Sequence, residues 1–97
     1  MPDLLTELQS ALAVGMPING ITDNDIGRWK TGIVPQSMWE DAVVGALMRL
    51  TWSHGLNVIS GIDWIEVWQP VCEAWYESGT GPLPLIRAVR KAWEAAK

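Results

Sequence analysis

Asp63-Trp64-Ile65-Glu66-Val67-Trp68-Gln69-Pro70-Val71-Cys72-Glu73-Ala74-Trp75 is the stretch on which the fold class turns. Trp64, Val67, Trp68, Val71, Cys72 and Trp75 recur at the spacing of one helix face. Asp63 and Glu66 stand three apart, as an N-cap residue and its reciprocal partner do. The phase of the stripe runs unbroken through Pro70, although a proline inside a helix removes a hydrogen bond and costs about 3 kcal/mol. The spacing therefore predicts one helix, kinked at Pro70, over about residues 63–77. Cys72 falls on its inward stripe and reads as a buried structural thiol. As the single cysteine of the chain, it excludes an internal disulfide and any multi-cysteine metal site.

Upstream, residues 37–54 carry two apolar rows. Trp39, Ala42, Val43, Ala46, Leu47 and Leu50 repeat at helical spacing. Val44, Met48 and Trp52 lie roughly 180° around the same helix, with Asp41 the one charge among them. Ser37 and Glu40 have the spacing of a capping box, and Gly55 supplies the stop. A helix apolar on two sides is sandwiched between layers, or it buries one side and offers the other to a partner. Val44, Met48 and Trp52 are accordingly the candidate partner-binding residues. His54 sits in the last turn of that helix. It is the only histidine, so it reads as a helix-end residue rather than a catalytic or metal-binding one.

Three further helices are expected around these two. Leu4, Leu5, Leu8, Ala11 and Leu12 predict a helix over about residues 3–14, stopped by Gly15. Thr22 and Asp25 cap a short second helix that turns Ile26 and Trp29 inward, Arg28 and Lys30 outward, and ends at Gly32. Residues 56–62 read as a connection, and residues 77–84 have the composition of a loop. The last helix is expected over about 84–96, with Pro84 in its first turn and Ile86, Val89, Trp93 and Ala96 inward. Its outer side aligns Arg87, Arg90 and Lys91 as a basic face, with Glu66, Glu73 and Glu77 as partners on the preceding helix. The architecture expected is a compact all-α single domain of five helices. Its central two-sided helix, about 37–54, is flanked by the first two helices on one side and the Trp-rich pair on the other.

Composition limits the function classes. The chain has 97 residues, 48% hydrophobic and 19% charged, which is a globular balance. No apolar run approaches the roughly 18 residues of a membrane span, and the start is acidic rather than basic. A cytoplasmic protein without a membrane partner is expected. The net charge is −4, but it is split: Arg87, Arg90, Lys91 and Lys97 against Glu94 give +3 beyond residue 81, leaving −7 before it. An acidic body disfavours sequence-blind binding to nucleic acid, which needs clustered cations. Seven Trp stand beside one Tyr and no Phe. Trp suits interface anchors as well as cores, and Trp39, Trp64, Trp68, Trp75 and Trp93 fall on inward stripes. The chain carries no Gly-rich phosphate loop, no histidine pair, no Cys-His ligand set and no nucleophile elbow. Neither an enzyme nor a bound cofactor or metal is expected.

One segment has a familiar pattern. Trp29, Gly32, Pro35 and Trp39 place a Trp-x-x-Gly at the end of a short helix, then a proline, then an apolar helix. Residues 21–50 in this respect resemble the recognition helix and following turn of phage Cro-like helix-turn-helix repressors. The resemblance implies that Thr22, Asn24, Asp25 and Arg28 face the major groove and that Lys30 lies near phosphate. Two readings of function follow. The preferred one is a small, acidic, Trp-rich, non-catalytic binding protein of phage or mobile-element type, an inhibitor or adaptor that occupies a surface on a larger protein assembly. The alternative is a Cro-like DNA-binding regulator. A third possibility is a homo-oligomer with Val44, Met48 and Trp52 as the self-contact.

Overall fold

A computed structural model describes residues 3–69 and 73–95. It contains four helices and a three-stranded antiparallel sheet in the order β1-β2-β3, so the fold is α+β and the all-α, five-helix expectation is overturned. The helices are α1 (Leu4–Ala13), α2 (Asp23–Lys30), α3 (Gln36–Ser53) and α4 (Pro82–Ala95). The strands are β1 (Asn57–Ser60), β2 (Trp64–Trp68) and β3 (Ala74–Ser78).

The segment expected to be a kinked helix is a pair of antiparallel strands, and the connection before it supplies a third. Register explains the error. Trp64 and Trp68 are four apart, a spacing that puts two residues on one face of a helix and of a strand alike. Val67 separates the two readings. A helix groups it with Trp64 and Trp68, whereas β2 turns it with Ile65 to the buried face. The cross-strand row Val58↔Val67↔Trp75 makes one face of the sheet, and Ile59↔Glu66↔Tyr76 lies on the other. β-Branched and aromatic side chains suit this pleated, half-buried surface. The cap expected from Asp63 and Glu66 does not form. The Asp63 carbonyl accepts the Gly79 N–H at 2.6 Å, and the Glu66 carboxylate accepts the Trp68 indole N–H at 2.8 Å. The kink at Pro70 and the burial of Val71 and Cys72 lie outside the described residues.

The helices follow their local chemistry more closely. The Asp3 side chain accepts the Thr6 N–H at 2.8 Å and caps α1. That bond holds its carboxyl below the ordinary aspartate value of 3.8. Thr22 and Asp25 form the expected capping box, with bonds of 3.3 and 3.0 Å. α3 differs: Pro35 is its N-cap without a side-chain bond, and Glu40 accepts from Gln36 Nε2 at 2.6 Å instead of pairing with Ser37. α4 begins at Pro82, two residues before the expected start.

The hub is α4, not α3. Leu85, Ile86, Ala88, Val89, Ala92 and Trp93 are buried along it, and it touches β2, β3, α3 and α1. α2 is held to α3 by Trp29 and Trp39, stacked with ring centroids 5.8 Å apart and planes 13° from parallel. α3 buries Trp39, Val43, Ala46, Leu47, Leu50 and Thr51, while Ala42, expected inward, is exposed.

Candidate protein-docking face

The two apolar rows of α3 have different fates. Trp39 in the first row is 9% exposed, whereas Trp52 in the second is 69% exposed. Val44 and Met48 are half-buried. They form one wall of a groove of about 330 Å³, whose other lining comes from Val58, Ser60, Ile65, Gly81 and Leu85. The groove exists because α4 covers the inner side of β2 and β3, while α3 packs mainly on β1. A strip of the sheet's inner side is therefore left between α3 and the start of α4. Its lining has no charged group, and the Ser60 hydroxyl is its one side-chain hydrogen-bonding group. Such a surface binds by removing apolar area from water, at roughly 25 cal/mol per Å².

Of the three residues the sequence singles out here, Val44 and Met48 line the groove together, and Trp52 stands one turn further along, outside the lining. The walls from Val58, Ile65, Gly81 and Leu85 were not anticipated. The signal for the sheet walls is β-branched Ile65 and Val67 two apart, with Val58 set opposite Val67, legible only once residues 57–68 are taken as a hairpin.

The segment resembling a repressor is also placed. Asn24 and Arg28, four apart on α2, are exposed side by side. Thr22 is engaged in the cap, and Lys30 donates to Gln9 Oε1 at 2.8 Å. Asp23 and Asp25 occupy the first turn of the same helix. The basic face of α4 is turned onto carboxylates. Arg87 Nε lies 3.2 Å from Glu7, and Arg90 Nε lies 2.9 Å from Glu94 and donates through Nη1 to Ser10 at 2.8 Å. Lys91 pairs with Glu77. Of the three carboxylates expected as partners, Glu77 alone serves, and Glu7 comes from α1 at the far end of the sequence.

Among the described residues no group of three or more His, Cys, Asp or Glu side chains is placed to hold a metal ion, and no helix is long and apolar enough to cross a membrane. Compared with family models, curated proteins and solved structures, the chain matches none.

Proposed function

We propose that this chain is a small, non-catalytic binding protein that acts by occupying an apolar element of a larger protein assembly, as an inhibitor or adaptor, in a reducing cytoplasmic compartment. The observation that carries the reading is the uncharged groove walled by Val44 and Met48, with Trp52 exposed beside it. An exposed aromatic anchor next to a preformed apolar cleft is the arrangement in which a few residues supply most of a binding energy. The single thiol accords with a reducing compartment but does not define one.

A Cro-like regulator is the second reading, favoured by Asn24 and Arg28 standing exposed on α2. Against it, Asp23 and Asp25 flank them and repel phosphate. One pair of experiments separates the two. In affinity capture from cells of the source organism, a specific partner should be retained by the wild type and by Arg28→Ala but lost with Met48→Glu. In selection from random duplexes at physiological salt, no site should be enriched. A single enriched duplex, with enrichment abolished by Arg28→Ala, would establish the regulator instead.

A further inference from the structure

The strand order leaves β1 with one free edge, and hydrogen-bond parity shows which groups line it. Gly61 N–H donates to the Trp64 carbonyl at 2.9 Å. Hydrogen-bonded and non-hydrogen-bonded pairs alternate along an antiparallel ladder, and the register pairs Ile59 with Glu66 and Asn57 with Trp68. Asn57 and Ile59 therefore bond inward to β2, and the backbone N–H and C=O groups of Val58 and Ser60 point away from the sheet. Among the described residues nothing accepts from or donates to those four groups.

Free edges are ordinarily blunted by charge, proline or a bulge. β3 follows that rule, with Glu77 in the strand and Glu73 beside it. β1 does not. Residues 55–62, Gly-Leu-Asn-Val-Ile-Ser-Gly-Ile, contain neither a charge nor a proline. Two exposed large apolar side chains stand on this strip, Ile59 at 48% and Ile62 at 98%, the latter the most exposed such side chain among the described residues.

We infer that β1 pairs antiparallel with β1 of a second copy, joining two three-stranded sheets across a two-fold axis. Self-complementarity selects this occupant, because the outward groups of Val58 and Ser60 lie symmetrically about Ile59, and charge limits where two copies can meet. Each copy carries −4, so two copies repel over most of their surfaces and meet without like-charge contact along an uncharged strip. The geometry closes on itself as well. With the axis through Ile59, Val58 of each copy exchanges N–H···O=C bonds with Ser60 of the other, which satisfies all the free edge groups. Ile59 then faces its own symmetry mate as a non-hydrogen-bonded pair, the closer kind. Gly61 and Ile62 of each copy run beside Leu56 and Asn57 of the other, toward the end of α3 that exposes Trp52. This contact uses the backbone of β1 rather than the α3 side chains of the docking face, so it does not rest on the function proposed above.

Sedimentation equilibrium of the full chain over a wide concentration range tests it. The apparent mass should rise from 10.7 kDa to twice that value. Ser60→Pro removes an edge N–H that β2 does not use, and Ile59→Lys sets two ammonium groups against each other across the axis. Both variants should keep the wild-type far-UV circular dichroism and stay monomeric throughout, whereas Met48→Glu should still dimerise. A wild type that stays monomeric at every concentration overturns the pairing. So does a dimer that persists in Ile59→Lys, which decides alone if Ser60→Pro fails to fold.

Discussion

Trp39 and Trp52 are the same residue on one helix with opposite environments, and that difference is what assigns the two sides of α3. Trp39 stacks on Trp29 and closes the space between α2 and α3. Trp39→Ala should cost roughly 3–5 kcal/mol, as large aromatic truncations in cores do. Trp52→Ala should change stability by no more than about 0.5 kcal/mol, because most of what it removes is exposed surface. Urea unfolding of both variants reads the contrast, and equal effects at the two positions would refute the assignment. That α3 has two apolar sides is plain from the spacing of its residues. Which side is buried is not, because periodicity reports that a row exists and not what covers it. Trp64 and Trp68 show the same limit: both look inward on a helical wheel, yet both stand on the outer face of the sheet.

At the scale of elements, the helices were legible where their ends carry side-chain chemistry. Thr22 with Asp25 fixes the start of α2, and Gly15, Gly32 and Gly55, all at positive φ, mark the stops. The sheet was not legible, since its evidence is pairing between segments distant in sequence, whereas a stripe such as Trp64, Val67, Trp68 is local and reads as a helix by itself. Pro70 was the clue against that helix. The central position of β2 gives a direct check. Val67 N–H points to β3 in the Val67↔Trp75 pair, so Val67→Pro removes a ladder bond from the middle strand and should destabilise by at least about 3 kcal/mol. Thermal melting followed by circular dichroism measures it. A melt unchanged from wild type would exclude β2 as a central strand.

Across the whole molecule, Arg87 and Lys91 of α4 are folded onto the acidic body before it, on Glu7 and Glu77. A basic tail in the sequence is thus not a basic surface in the fold. These pairs are partly solvated, so a double-mutant cycle on Glu7→Gln and Arg87→Gln should give a coupling of at most about 1 kcal/mol, shrinking as salt is added. A coupling several times larger would make the pair a main tie between α1 and α4. The principal tie is instead apolar, because α4 fills the space that α1, α3 and the sheet enclose. That position carries a consequence for synthesis. A ribosome makes α4 after every element it holds, so Leu8, Leu47, Ile65 and Val67 emerge before the helix that completes the core around them. Chains usually fold from the amino end as they are made; a core closed by residues 82–95 should be complete only once that helix clears the exit tunnel.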